Sequence, residues 1–192
     1  MTSIDTNILA TAVGPHLFWI TSRAAGVAAL LLSSLSVCVG LTIGGRFTKL
    51  DRLDLRTTHE ALSLATLVAL AVHGISLLGD SYVHPSLADI SIPFLSSYKT
   101  LWTSMGIVAF WTMALLGLSY YARSHIGVKR WRKLHRLTAL AWMLGIAHSL
   151  GEGTDAGQIW FLAMTAIAVV PALALLAVRL SESSATSQAH AK

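Results

Sequence analysis

The sequence predicts an all-α integral membrane bundle of about five transmembrane helices with a short outer interfacial segment. Three observations carry that reading: long charge-free apolar blocks, basic residues gathered in alternate loops, and histidines recurring in matched pairs along two of the hydrophobic segments. Of 192 residues, 54% are hydrophobic and 12% charged, whereas about a quarter of a soluble domain is charged. A mean hydropathy of +0.64 agrees. The apolar residues are gathered into Ala24–Ile43, Ala61–Gly79, Leu101–Ala122 and Gln158–Val178, each of 19 to 22 residues without an acidic or basic side chain. About 20 such residues cross a bilayer as a helix.

Taken in order, helix 1 is expected to begin near His16–Trp19 and to end at Gly44-Gly45. Helix 2 starts after Arg56 and runs to Gly79. Ser81–Tyr98 holds Pro85 and Pro93 among apolar residues; too short and broken to span, it is expected to lie on the outer interface. Helix 3 returns to Ala122. Leu137–Leu150 offers only 14 residues after the last arginine, so helix 4 reaches spanning length by starting at Trp131, with Arg and Lys snorkelling to the interface. Helix 5 follows. Trp19, Tyr82, Tyr98, Trp102, Tyr121, Trp131 and Trp160 fall near helix ends, as aromatic belts do.

The net charge of +5 does not indicate nucleic acid, because of its distribution. Arg46, Lys49, Arg52 and Arg56 lie between helices 1 and 2, while Arg123, Lys129, Arg130, Arg132, Lys133 and Arg136 lie between helices 3 and 4. Arg179 and Lys192 follow helix 5; Asp80, Asp89, Glu152 and Asp155 occupy the opposite loops. The positive-inside rule puts the N-terminus outside and the C-terminus in the cytoplasm, in a membrane expected to be a bacterial cytoplasmic one. Cys38 stands alone within helix 1 and reads as a packing residue, without a disulfide framework. No basic segment precedes an apolar core at the N-terminus, so no cleaved signal peptide is expected.

His59 and His73 are fourteen residues apart in helix 2, and His135 and His148 thirteen apart in helix 4. At 1.5 Å per residue each pair spans roughly 20 Å, about two-thirds of the hydrocarbon core. The two helices run in the same direction, so depth pairs His59 with His135 near the cytoplasmic face and His73 with His148 toward the outer one. An isolated intramembrane histidine commonly bonds to a neighbouring helix. Four at matched depths point to axial iron ligation of two b-type haems and to electron transfer across the membrane. Helical geometry supports one pair better than the other. Fourteen residues return to within about 40° of the starting face, whereas thirteen leave His135 and His148 about 140° apart, so local unwinding, a π-bulge or tilt must compensate. Met113, Met143 and Met164 sit at scattered depths and read as core filler. His16, His84, His125 and His190 fall in loops or the tail and read as solvent-exposed.

Arg23 is a cation at the outer end of helix 1, where topology favours none. Two readings stand: a bidentate contact to a haem propionate or reducible substrate, or snorkelling into outer headgroups.

The 14 and 13 spacings, with Lys129-Arg130-Trp131-Arg132-Lys133-Leu134-His135-Arg136, then His148 and Gly153-Thr154-Asp155, resemble the ferric-reductase-like transmembrane domain family. Trp19-Ile20-Thr21-Ser22-Arg23-Ala24-Ala25-Gly26 is similar to its small bacterial members, and the resemblance covers roughly residues 17–180. The family includes the membrane cytochrome b cores of ferric reductases and NADPH oxidases and the haem subunit serving a periplasmic methionine sulfoxide reductase. The resemblance implies that His59, His73, His135 and His148 are the haem ligands. Larger members have a sixth helix, here expected to be missing on the N-terminal side, and follow the last helix with a flavin- and nicotinamide-binding module. No Gly-x-Gly-x-x-Gly follows a strand pattern here, no flavin site is found, and about a dozen residues follow helix 5. The resemblance therefore implies a separate cytoplasmic flavoprotein, or another donor such as a quinol, and an outer acceptor: a ferric chelate, oxygen or a periplasmic oxidoreductase.

The organisation expected is a short extracytoplasmic N-terminus over 1–16, a haem-binding transmembrane domain over 17–180 and a disordered cytoplasmic tail over 181–192. The function expected is a di-haem b-type membrane cytochrome, the electron-transfer subunit of an oxidoreductase; the alternative is a non-catalytic haem-binding anchor or sensor subunit. No nucleic-acid partner is expected.

Overall fold

The computed structural model describes residues 6–45 and 51–189, with side chains for 16–45 and 51–181. Arg46, Lys49, His190 and Lys192, assigned above to a loop and the tail, lie outside the described residues. Among the described residues every regular element is a helix: α1 Thr6–Gly45, α2 Arg52–Leu77, α3 Leu87–Ser91 and α4 Thr100–Leu118, then a 3₁₀ turn Ser119–Ala122, α5 Arg123–Ile126, α6 Val128–His135, α7 Thr138–Glu152 and α8 Ile159–Ala189. Four of them, α1, α2, α4 and α8, are long and apolar enough to cross a membrane. The protein is an integral membrane helical bundle.

The fifth expected span differs from expectation. Instead of one helix from Trp131 to Leu150, the chain breaks at Arg136-Leu137 into the strongly basic α6 and the apolar α7. α7 has 15 residues, about 22 Å of helix. At the other end of the chain, α8 continues through Ala189, across positions expected to be disordered. The N-terminal segment expected to precede the first span is already helical from Thr6.

α1 is the central helix. It lies along α2 for most of its length and also meets α7 and α8, while α4 packs on α7. Apart from Leu30, its buried residues are small or hydroxyl-bearing, Ser22, Ala29, Ser33, Ser34 and Ser36, which let helices approach closely in lipid. Ser33 and Ser34 return their hydroxyl protons to the Leu30 carbonyl, so burial leaves them satisfied. The core is Leu30, Trp142, Phe161, Val169 and Ala172, and the indole Nε1 of fully buried Trp142 donates to Ser34 Oγ at 3.0 Å. Large aliphatic residues such as Val68, Ile75 and Ile167 remain two-thirds or more exposed or nearly so, an outward apolar surface that suits lipid.

The segment between α2 and α4 does not span. Ser86 caps α3 in a reciprocal box with Asp89. Hydrogen bonds from Ser86 hold the Asp89 carboxyl below the usual aspartate range. The segment also leans down α4: Phe94 N donates to Ser104 Oγ at 2.7 Å, and Trp111 Nε1 donates to the Ser91 carbonyl at 2.9 Å. Trp111 is eleven residues into α4, about 16 Å from its start, deeper than a purely interfacial strap would reach. An irregular backbone at such depth needs its polar groups met by protein.

Trp142→Phe should lower the apparent Tm of the detergent-solubilised protein by an amount matching one hydrogen bond and a small void, about 1–2 kcal/mol. Trp142→Ala should cost about 3–5 kcal/mol. The depressed Asp89 carboxyl stabilises α3 fully above the ordinary aspartate range, and that contribution is lost as pH falls through the lowered value. Faster amide exchange at 87–91 in acid, reproduced at neutral pH by Asp89→Ala, checks this.

Candidate functional site

Two histidines of α2 face two from the broken fifth segment. His59 meets His135, the last residue of α6, with ring centres 6.1 Å apart and planes at 89°. His73 meets His148 of α7 at 6.2 Å and 73°. Depth therefore pairs the rings as the spacing implies. The break after His135 removes the angular mismatch of a thirteen-residue separation. Leu137 N bonds to the Leu134 carbonyl at 2.9 Å and Ala139 N to that of Arg136 at 3.2 Å. These i→i−3 bonds belong to 3₁₀ turns, which advance about 120° per residue instead of 100°. Overtwist in that direction makes up part of the 140°, and the separate axes of α6 and α7 leave the remainder free to adjust.

Three of the imidazoles are fixed by a backbone carbonyl on the neighbouring helix. His73 Nδ1 lies 2.8 Å from the Ser22 carbonyl and His59 Nδ1 2.9 Å from that of Ser36, both on α1. His148 Nδ1 lies 2.9 Å from the Trp102 carbonyl on α4. A carbonyl only accepts, so each Nδ1 carries the proton and each Nε2 presents a bare lone pair. That is the tautomer a metal ligand needs. The Ser22 and Ser36 hydroxyls also touch these Nδ1 atoms, at 3.0 and 3.1 Å. His135 differs: its Nδ1 is buried without a hydrogen-bond partner, and Trp131 stacks on its ring at 4.8 Å.

A cavity of about 390 Å³ adjoins the His73/His148 pair, with Gly106, Trp142 and Phe161 among its mainly apolar walls and Ile90 of α3 closing one side. That is within the range of cofactor sites. Arg23 and Asp155 line it as well. The Arg23 guanidinium binds both Asp155 carboxylate oxygens through Nε and Nη2, and lies over the Trp19 ring at 4.6 Å. Neither sequence-level reading of Arg23 included this ion pair, which ties α1 to the loop between α7 and α8. Lys99, at the same end of the bundle as Arg23, donates to the carbonyls of Gly151 and Glu152 at the end of α7, where positive charge complements the helix dipole.

Sequence reasoning passed over Ser22, Ser36 and Trp102 because a carbonyl acceptor leaves no residue-type signature. One signal was present: Ser22 and Ser36 are fourteen residues apart, the spacing of His59 and His73 on the antiparallel neighbour. Among the described residues no cluster of three or more His, Cys, Asp and Glu side chains could hold a metal ion. Each histidine pair brings together two imidazoles only.

The profile of the ferric reductase like transmembrane component family matches residues 25–146. The chain belongs to that family. The match takes in α2, α4, α6 and most of α7, hence three of the four histidines. His148 lies two residues past its end. Comparison with curated proteins and with solved structures found no match. As a ferric-reductase-like membrane domain, the chain is a membrane electron-transfer module.

Breaking the outer ion pair tests its weight. Arg23→Ala leaves the buried Asp155 carboxylate without its cation and should destabilise the fold by about 1–3 kcal/mol, since the guanidinium is one-third exposed. Adding Asp155→Ala should recover part of that loss, and a double-mutant cycle of melting temperatures measures the coupling.

Proposed function

We propose that this chain is a di-haem b-type cytochrome that carries electrons across the membrane, from a donor on its basic side to an acceptor on the opposite side. The observation that carries the reading is the separation of the paired rings. A metal–imidazole bond is roughly 2.0–2.1 Å, and the ring centre stands about 1 Å beyond the nitrogen, so two imidazoles sharing one metal have centres about 6 Å apart. The pairs stand at 6.1 and 6.2 Å. Two imidazoles alone would be an incomplete shell for a metal ion, and a haem, which brings its own nitrogen donors, would be held by such a pair. The carbonyl-bound Nδ1 protons and the apolar cavity beside His73 and His148 fit the same group.

When bound, haem supplies one-electron redox chemistry. The chain's residues hold and orient it. His59 and His135 form the layer beside the basic face, His73 and His148 the layer toward the outer loops. Held by two neutral imidazoles, each haem would favour electron transfer over direct oxygen binding. Arg23 retains Nη1 beside the cavity for a propionate, but shares its charge with Asp155. On the other face Lys129, Arg130, Arg132, Lys133 and Arg136 are exposed. Such a surface suits an acidic electron carrier, a reduced flavoprotein being the class the family suggests. The basic face is cytoplasmic by the positive-inside rule, with the N-terminus outside.

A pyridine haemochrome assay on the purified protein should give about two b haems per chain. His59→Ala and His135→Ala should delete the same low-spin signal, and His73→Ala and His148→Ala the other. A ratio near one, or loss grouped by helix instead of by pair, would overturn the reading.

A further inference from the structure

Three glycines stand where three of these imidazoles press on the facing helix. A methyl carbon on Gly26 of α1 would lie 3.1 Å from His73 Nδ1, and one on Gly40 would lie 3.1 Å from His59 Cε1. On Gly106 of α4 it would lie 2.7 Å from His148 Nδ1. Unstrained contacts are nearer 3.5–4.0 Å, so each ring would have to move. Each glycine follows, by four residues, the carbonyl that accepts the same ring's proton: Ser22 and Gly26, Ser36 and Gly40, Trp102 and Gly106. Positions four apart share one face of a helix. An imidazole that donates to the carbonyl must lie across the next turn, where a side chain would push it away. α1 carries this unit twice, fourteen residues apart, although it bears no candidate ligand itself.

The fourth ring lacks such a berth. His135 approaches the Leu116 backbone, fourteen residues after Trp102, within reach of a weak hydrogen bond but outside the geometry of a good one, and the residue four further on is Tyr120 where the other berths have glycine. Its Nδ1 has no well-formed hydrogen bond of the kind that holds the other three. Instead Trp131, one turn earlier on α6, stacks on it with planes 23° apart; the indole is itself held by Ser119 Oγ at 3.1 Å and by the edge of Tyr120.

We propose that Gly26, Gly40 and Gly106 are positioning residues, each half of a carbonyl–glycine berth that fixes the plane of one axial imidazole, and that Trp131 takes this part for His135. The inference rests on the di-haem reading. Gly26 and Gly106 then govern the His73/His148 haem from two different helices, and Gly40 and Trp131 govern the His59/His135 haem. General packing glycines would not divide in this way.

The test uses the full chain in lipid nanodiscs, with haem content, the resolved low-spin EPR signals and the two midpoint potentials as readouts. Gly26→Ala and Gly106→Ala should shift the same EPR signal and weaken retention of that haem by about tenfold or more, the size of effect seen when groups supporting metal ligands are lost. Gly40→Ala and Trp131→Leu should do so for the other haem. Gly117→Ala is the control, since its methyl would meet only Leu67 Cδ1 at an ordinary 3.7 Å. If Gly106→Ala does not fold, Gly26→Ala probes the same haem from α1 through a milder contact. Unmoved signals in Gly26→Ala and Gly40→Ala, or equal loss of both haems in each, would overturn the proposal while leaving a di-haem wild type intact. A wild type that holds no haem overturns the functional reading itself.

Discussion

An imidazole inside a bilayer has no water to accept its N–H, and an unmet donor in that medium costs several kcal/mol. The carbonyls available are those of neighbouring helices, already bonded within their own ladders and reachable only through a second lone pair. That requirement explains much of the bundle. α1 must lie against α2 along its length, because the Ser22 and Ser36 carbonyls serve rings a full fourteen residues apart. Its contact face is therefore mostly serine, glycine and alanine, with Leu30 reaching the core, and its central place follows from being the helix that both rings of α2 need. α4 stands in the same relation to His148. Bulky apolar residues are then left to face outward.

The break between α6 and α7 answers the same constraint. A continuous helix from Trp131 to Leu150 would turn one histidine of the thirteen-residue pair away from α2. Ending α6 at His135 lets the basic segment and the apolar one take separate axes, at the expense of an uninterrupted ladder near Arg136 and Leu137. The outer loops then join what the break and the short α7 leave loose. Lys99 closes the end of α7, Arg23 draws the following loop to α1 through Asp155, and α3 is fastened to Trp111. Both cations that stand apart from the basic clusters thus have partners within the structure, Arg23 through Nε and Nη2.

The four spans, the non-spanning segment and the pairing of histidines by depth were legible because each rests on a run or a spacing along one chain. Depth in a bilayer is a coordinate that sequence reports directly. Azimuth is not: thirteen residues leave His135 and His148 on different faces of an ideal helix, but a 3₁₀ turn, a π-bulge and tilt all relieve that, and no local residue chooses among them. Arg23 was singled out for its position, yet Asp155 lies 132 residues away and is met only through packing. The repeated Ser-x-x-x-Gly of α1 was visible but mute, since serine and glycine are ordinary interface residues in membrane helices. Only the facing rings give that repeat a purpose.

Under the proposed function, reduction changes the charge of each site by one unit, and the low dielectric of the bundle makes nearby charge count. The two ends differ. At the outer end Arg23 and Asp155 form a neutral pair, so the guanidinium supplies direction for a hydrogen bond more than net charge. At the basic end the cations are exposed, and water and salt screen them within about 8–10 Å. Their effect on docking, where an acidic carrier excludes solvent from the contact, exceeds their effect on a buried iron layer. The chain's charges therefore select where a donor binds without building a steep internal slope from one layer to the other. The direction of electron flow then depends on the potentials of the donor and acceptor, and the bundle's contribution is to hold two stacked layers at fixed depth with their ligand rings already aimed.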